Sequence, residues 1–123
     1  MKDAAEYLAH IKALIVAHLY VLKWTILREE AQGDIGLLRY RLILKDNGLL
    51  EMFERFQTVA GQVLVTKYSF HWQDADGRLL KRWDNVPHHP EVSTHPHHIH
   101  IGTEATVQSH RPIVAEEVLA LIA

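Results

Sequence analysis

Histidine side chains are concentrated in one short segment of this chain. Six of the ten histidines lie in the run VPHHPEVSTHPHHIHIG, which extends from Val86 to Gly102: His88, His89, His95, His97, His98 and His100. With an ordinary pKa of about 6.5, histidine takes and gives a proton near neutral pH, and neutral imidazole is the commonest metal ligand. Prolines interrupt this histidine segment, so we interpret it as a loop carrying catalytic or ligand-binding groups. The alternative is that these histidines are exposed to solvent and have no function.

A set of polar residues precedes the histidine segment. The turn dipeptide Asp76-Gly77 joins the alternating runs 63–73 and 78–84 and predicts an antiparallel hairpin whose paired residue numbers add up to 153. A four-residue loop over 74–77 would change this sum to 151 and leave the faces unchanged. One face of this hairpin carries aromatic residues: Tyr68, Phe70, Trp72 and Trp83. The other face carries polar and ionisable residues: Lys67, Ser69, His71, Gln73, Arg82 and Asp84. Because Asp84 leads directly into the histidine segment, we expect this polar face and the histidines to form one site.

A second hairpin is predicted around Asn47-Gly48, since both central positions of a two-residue turn favour residues that tolerate positive φ. That turn makes paired residue numbers add up to 95, so that Arg41 faces Glu54. We therefore expect Glu51 on the apolar face of the hairpin. Arg41 and Glu54 are expected on its polar face, within reach of a substrate.

These hairpins predict an α+β fold. We expect one domain over residues 1–123, with a five-stranded, mostly antiparallel β-meander between an N-terminal and a C-terminal helix. Asp3 and Glu6 have the spacing of a capping box, which predicts a helix at about residues 2–16. Apolar residues at helical spacing between Val114 and Ile122 predict the last helix. The five strands are predicted from the alternating runs 18–28, 37–44, 49–56, 63–73 and 78–84.

Composition limits the class of protein. A chain of 123 residues with 48% hydrophobic and 23% charged residues fits one folded domain. Its net charge of −2 does not by itself attract nucleic acid, so such binding requires a local patch. Cysteine is absent, which excludes disulfides, thiol catalysis and cysteine-bound zinc. The apolar run 13–22 is shorter than the ~20 residues of a membrane span, so we expect a cytoplasmic protein without a membrane partner.

Three motifs occur in order along the chain: YSFHWQDADGRL from Tyr68, RWDNVPHHPE from Arg82 and STHPHHIHIG from Ser93. Together with a terminal helix containing EEVL, they resemble the TumE family, small bacterial and archaeal proteins described as the toxin half of toxin–antitoxin gene pairs. The similarity covers about residues 37–121. The matching positions are Tyr68, His71, Trp72, Gln73, Arg82, Trp83, Asp84, Asn85, His88, His89, His97 and His98. The resemblance implies a toxin with a cognate antitoxin, and it implies no particular reaction.

The residues themselves fit RNA cleavage without a metal ion. Attack of a 2′-hydroxyl on the neighbouring phosphate needs a base, an acid and a cation, which two histidines and an arginine provide. The predicted catalytic residues are His71, Arg82, Asp84, His97, His98 and His100. The predicted substrate-binding residues are Arg41, Glu54, Tyr68, Gln73, Asn85, His88 and His89. No cofactor is required on this reading, and the partners are RNA and an antitoxin, expected to be a small helix-turn-helix protein.

Two other readings stay open. His98 and His100 are alternate residues, which point the same way on an extended strand. With His71, or else His97 or Asp84, as the third ligand, they form a candidate site for a divalent transition metal. In the third reading the hairpin docks a partner without catalysis, since tryptophan is frequent at binding hot spots. A homodimer is compatible with all three.

Overall fold

The N-terminal helix, α1 (Ala4–Ala17), begins at the cap that the sequence predicts. The Asp3 carboxylate accepts a hydrogen bond of 2.9 Å from the Glu6 amide, which satisfies a backbone donor at the helix start. Ile11 and Ile15, four residues apart, are buried in the core. The apolar stripe of α1 therefore packs against the sheet, as the periodicity predicts.

Seven strands form one antiparallel sheet in the computed structural model, which describes residues 1–122. Their order in the sheet is their order in the chain: β1 (Val21–Gln32), β2 (Ile35–Leu44), β3 (Leu49–Val59), β4 (Gln62–Gln73), β5 (Leu79–Asp84), β6 (His98–Ile101) and β7 (Val107–Ser109). A second helix, α2 (Ala115–Leu121), follows β7 and packs with α1. The predicted α+β class, with a helix at each end of a meander, is confirmed.

The prediction of five strands is wrong, because the sequence pattern does not reveal β6 and β7. These strands have four and three residues, which is shorter than the runs from which strand periodicity is recognised. β6 also lies within the histidine segment, where prolines favour a loop. Its His-Ile-His-Ile alternation is regular, but its buried residues include His98 and His100, and histidine is a residue type that is not usually buried completely.

The register of the β2–β3 hairpin differs from the predicted one. A backbone hydrogen bond of 2.9 Å from Leu44 to Gly48 closes a three-residue loop in which Asn47 has a φ of 67°. Paired residue numbers therefore add up to 92. Because the shift is odd, it exchanges the two faces of β3. Glu51 lies on the polar face and Glu54 lies in the core, the reverse of the prediction.

The β4–β5 hairpin has the predicted register over most of its length. Phe70 pairs with Trp83, and His71 pairs with Arg82. Phe70 and Trp83 are buried in the core with the helices, so the neighbouring pair His71 and Arg82 points to the other side of the sheet. The predicted separation of aromatic and polar residues onto opposite faces is confirmed.

Glu54 is a fully buried carboxyl group beneath both helices. It accepts a hydrogen bond of 2.6 Å from the Tyr7 hydroxyl and one of 2.8 Å from the Ala115 amide at the start of α2. Burial raises the pKa of Glu54 to about 7, because the charged form loses its hydration, and the two hydrogen bonds oppose this only in part. This one side chain therefore connects α1, β3 and α2.

We expect the stability of the domain to fall as pH rises through the range set by Glu54. The ordinary pKa of this carboxyl group is 4.5, and its pKa in the folded protein is about 7. Between these values the folded state holds more protons than the unfolded state, so unfolding becomes easier with rising pH. The loss is on the order of 3 kcal/mol. Glu54→Gln cannot ionise and should flatten this slope in urea unfolding from pH 5 to 8, whereas Glu51→Gln, on the opposite face, should not. If the free energy of unfolding depends equally on pH in the wild type and in Glu54→Gln, Glu54 is not the source of this pH dependence.

Candidate functional site

Two rows of side chains cross the sheet face that the helices leave uncovered, which we call the open face. The first row, with one residue per strand from β2 to β6, is Arg41, Glu51, His71, Arg82 and His100. The second row is Arg39, Phe53, Ser69, Asp84 and His98. Neighbouring strands lie ~4.8 Å apart, so the backbones of His71 and His100 are about 10 Å apart, with Arg82 between them. The structure thus brings the β4–β5 polar face and β6 of the histidine segment onto one surface.

Asp84 organises the inner part of this surface. Its side chain is only 6% exposed, and Oδ1 lies 3.0 Å from Nε2 of His98. The same oxygen accepts a hydrogen bond of 3.0 Å from the Val86 amide. Oδ2 accepts a hydrogen bond of 3.3 Å from Nε of Arg82. The carboxylate therefore orients both the His98 ring and the Arg82 guanidinium, and it balances the positive charge of the guanidinium.

Backbone carbonyls set the ring orientation of the two β6 histidines. Nδ1 of His98 donates to the Pro96 carbonyl over 2.9 Å, and Nδ1 of His100 donates to the Glu104 carbonyl over 2.8 Å. Because a carbonyl oxygen only accepts, these partners assign a hydrogen to Nδ1 of each ring. The two Nε2 atoms lie 3.1 Å apart. With a hydrogen on each Nδ1, these two nitrogens can be joined by a hydrogen bond when one ring carries a second proton, or by one bound metal ion.

Arg82 is held by acceptors on several sides. Its Nη1 donates to Oε1 of Glu104 over 2.6 Å, and its Nη2 lies 3.2 Å from Nε2 of His100. The Glu104 side chain, between β6 and β7, is 58% exposed, so an incoming anion could displace it from the guanidinium. Glu104 is not predicted from the sequence, because a single glutamate in the run GTEAT carries no distinguishing pattern.

Burial lowers the pKa of His100 below its ordinary value, and the positive charge of Arg82 acts in the same direction. The hydrogen bond to the Glu104 carbonyl and the charge of Asp84 oppose this shift in part. These effects favour the neutral His100 ring, whose Nε2 lone pair lies 3.2 Å from Nη2 of Arg82. This is the protonation state of a general base.

The loop between β5 and β6 forms a wall over these groups. A cavity of about 280 Å³ lies there, and its lining includes Ser69, His88 and His89. The centre of the His89 ring lies 4.9 Å from that of His98 and 5.5 Å from that of His100. One ligand atom from each of these three rings lies within 4.8 Å of the others. In the part of the chain that the structure describes, His89 takes the place that the sequence-based metal set assigned to His71.

His71 lies on the other side of Arg82 and is partly buried. Its Nε2 is 2.9 Å from Oε1 of Gln73. Because an amide oxygen only accepts, this contact assigns a hydrogen to Nε2 of His71. Gln73, a predicted substrate-binding residue, here fixes the orientation of the His71 ring.

His97 and Tyr68 do not join the cluster. His97 precedes β6, so its side chain points away from that of His98. Its Nδ1 lies 2.9 Å from the Tyr68 hydroxyl, and the two rings stack. Burial lowers the pKa of His97 and raises that of Tyr68 to about 12. The structure therefore separates the predicted catalytic His97 and the predicted substrate-binding Tyr68 from Arg82.

The Asn85 side chain completes the sheet. Its Oδ1 accepts a hydrogen bond of 3.0 Å from the Tyr68 amide, and its Nδ2 donates one of 3.1 Å to the Thr66 carbonyl. Both partners are backbone groups of β4 beyond the last β5 pair. The side-chain amide of Asn85 thus pairs with β4 as the backbone of a strand residue would. These two hydrogen bonds leave the amide little capacity to bind a substrate.

Arg41 and Glu54 lie on opposite faces of the sheet, so the predicted contact between them is wrong. Arg41 is on the open face and pairs with Glu51, at 3.3 Å between Nη2 and Oε1. Glu54 is fully buried under the helices, where no substrate on the open face reaches it. The cause is the three-residue loop described above.

A comparison with protein-family models matches residues 11–123 to the family described as toxin TumE. The match extends over nearly the whole chain. The chain belongs to the TumE family of toxins. Comparisons with curated proteins and with solved structures find no match. Membership of the TumE family implies an antitoxin as partner. Within residues 1–122, the structure has no helix that is long and apolar enough to cross a membrane.

Proposed function

We propose that this protein is the toxin of a toxin–antitoxin pair and that it cleaves RNA by acid–base chemistry at Arg82. Membership of the TumE family supports the toxin role. The observation that carries the chemistry is the cross-strand row His71, Arg82 and His100, in which two imidazoles flank a guanidinium. Cleavage by a 2′-hydroxyl needs one group to remove a proton, one to supply a proton and a cation to stabilise the phosphate.

In this mechanism His100 is the base and His71 is the acid. Nε2 of His100 takes the proton of the 2′-hydroxyl, and the 2′ oxygen then bonds to the adjacent phosphorus. The bond from phosphorus to the 5′ oxygen of the next nucleotide breaks. His71, in its doubly protonated form, gives a ring proton to that leaving oxygen. The products are a 2′,3′-cyclic phosphate and a 5′-hydroxyl end, and a later exchange of protons with water resets both rings.

Three further side chains have supporting roles. Asp84 and His98 position His100 through the 3.0 Å and 3.1 Å contacts that connect their side chains. In the free protein the Glu104 carboxylate accepts a hydrogen bond from the Arg82 guanidinium. The substrate phosphate takes the place of this carboxylate. A planar guanidinium suits this exchange, because it binds a carboxylate or a phosphate with two parallel hydrogen bonds.

The antitoxin is proposed to be a small helix-turn-helix protein, and the pair is proposed to act in the cytoplasm. One chain supplies every group named in the mechanism, so the site does not depend on a second copy. A homodimer stays compatible with it.

A metal ion is the second candidate occupant of the site, acting through His89, His98 and His100. Two nitrogens bound at 2.0–2.1 Å to a tetrahedral zinc lie about 3.3 Å apart. The observed separation between Nε2 of His98 and Nε2 of His100 is 3.1 Å. Carbonyl acceptors at Nδ1, as found here, also hold metal-binding imidazoles in place. Arg82 opposes this assignment, because it places a cation 3.2 Å from the lone pair that the metal would need.

The two candidates predict different responses to chelation. We expect purified protein, dialysed against EDTA, to cleave a mixed-sequence RNA at the same rate as untreated protein. Acid–base cleavage uses only side chains, so removal of divalent ions leaves it intact. Loss of cleavage in EDTA, with recovery on addition of Zn²⁺ or Mn²⁺, would instead assign the site to a metal. Toxicity in cells without RNA cleavage in either buffer would favour a docking function.

A further inference from the structure

The open face carries more positive than negative charge, although the whole chain has a net charge of −2. On β2 to β5 its basic side chains are Arg39, Arg41, Arg55, Lys67 and Arg82. Its acidic side chains on the same strands are Glu51 and Asp84. The face opposite the helices is therefore suited to a polyanion.

Two of these cations are free to bind a ligand. Arg55 and Lys67 are exposed and pair across β3 and β4, one step along the strands from Phe53 and Ser69. Across residues 1–122, neither has a carboxylate oxygen within 4.0 Å, whereas Arg41 pairs with one carboxylate and Arg82 with two. Like charges placed directly opposite each other destabilise a sheet. This pair therefore lowers the stability of the domain unless an anion binds between the two side chains.

Arg39 and Phe53 add a flat surface beside these charges. The Arg39 guanidinium lies 4.5 Å from the centre of the Phe53 ring, in a cation–π arrangement. Arg39 is partly exposed, so part of its side chain is accessible to a ligand. Bases of single-stranded nucleic acid stack on aromatic rings and on guanidinium planes of this kind.

The burial of the catalytic groups favours single-stranded over double-stranded nucleic acid as the ligand. His98 and His100 are 2% and 3% exposed, at the bottom of the cavity under the β5–β6 loop. The phosphates of a regular duplex follow a stiff helical path, which does not enter such a cavity. A single strand can bend one phosphate into the cavity while its neighbours stay on the open face.

We propose that the open face binds single-stranded RNA along a track from Arg39, Arg55 and Lys67 to the cavity at Arg82. This inference rests on the proposed RNA cleavage and adds the form and path of the substrate. From β2 to β6 the track spans four strand spacings, about 19 Å. Phosphates contact Arg55 and Lys67, one base stacks on Arg39, and the scissile phosphate reaches Arg82. None of the three track residues takes part in proton transfer.

The test is binding of a fluorescent 2′-O-methyl oligouridine, which lacks the 2′-hydroxyl and cannot be cleaved by the proposed route. Anisotropy titrations over a range of salt concentrations compare the wild type with Lys67→Gln, Arg55→Gln and Arg39→Gln. The matched control is Arg111→Gln, because Arg111 is 64% exposed and pairs with Glu117 at the start of α2. Each phosphate contact with a single strand contributes about 0.7 to the slope of log K against log salt. Lys67→Gln and Arg55→Gln should each reduce the slope by about that amount, and Arg111→Gln should not change it.

Three outcomes would overturn the proposal. The first is wild-type affinity and salt slope in all three track variants, with folding confirmed by thermal unfolding. The second is tighter binding of a duplex of the same length than of the single strand. The third is binding of an acidic protein segment, but not of the oligomer, to Arg39, Arg55 and Lys67. The measurement is independent of the chemistry: intact binding without RNA cleavage would reject the catalytic mechanism and keep the track.

Discussion

His100→Ala is expected to abolish RNA cleavage and growth inhibition. His100 is the proposed base, and general acid–base catalysis by one positioned group contributes about 10² to 10⁴ in rate. His71→Ala, which removes the acid, should have an effect of the same size, and the double variant should be little worse than either single one, because both groups act in one step. Cleavage rates of the purified variants and colony counts after induced expression measure these effects.

The matched control for both variants is His97→Phe. His97 is also a histidine of the segment, but its ring stacks on Tyr68 on the other side of the sheet. Phenylalanine keeps this stacking, so full activity is expected. Because His100 is buried, its variant must also unfold at a temperature close to that of the wild type for the comparison to count. Full toxicity of a folded His100→Ala or His71→Ala, or loss of toxicity in His97→Phe, would show that the catalytic residues are assigned wrongly.

The β4–β5 hairpin was predictable because two independent signals agree there. Asp76-Gly77 marks the position of the turn. The alternation of side chains along each strand then places Phe70 and Trp83 on one face and His71 and Arg82 on the other. The position of His71 beside Arg82 follows from that register alone. In this part of the site, local turn chemistry and side-chain alternation are sufficient.

The β2–β3 hairpin shows what a turn signal omits. Asn47-Gly48 indicates where the chain reverses, but the loop has three residues, and a difference of one strand position decides the face of every side chain. The observed register buries Leu50 and Met52 together with Glu54. The single carboxyl group in that core is accommodated by hydrogen bonds from Tyr7 and Ala115, which come from the two helices. Such long-range partners are not visible in a local pattern.

The histidine segment was recognisable by residue type and not by geometry. Which histidines face Arg82 depends on where β6 begins, and β6 pairs with β5 across an irregular loop. A start at His98 directs His98 and His100 to the open face and His97 to the core side. Asn85 illustrates the same limit, since its role in closing the sheet depends on Tyr68 and Thr66, which lie 17 and 19 residues away.

The other large effect is expected from a change in the RNA substrate. Replacing one ribose by deoxyribose on the 5′ side of a mapped cleavage site removes the attacking 2′-hydroxyl. If the hydroxyl that His100 activates is the nucleophile, cleavage at that position should fall to the background of uncatalysed hydrolysis. Cleavage at other positions of the same RNA should continue, which serves as the internal control.

The most direct test of the proposed chemistry is therefore the identity of the new RNA ends, determined in EDTA for the all-ribose substrate and its singly deoxy-substituted counterpart. We expect 2′,3′-cyclic phosphate and 5′-hydroxyl ends from the first and no cut at the substituted position in the second. A 5′-phosphate end, or an undiminished cut next to the deoxyribose, would show that water and not the 2′-hydroxyl attacks, and would contradict the acid–base mechanism assigned to His71, Arg82 and His100.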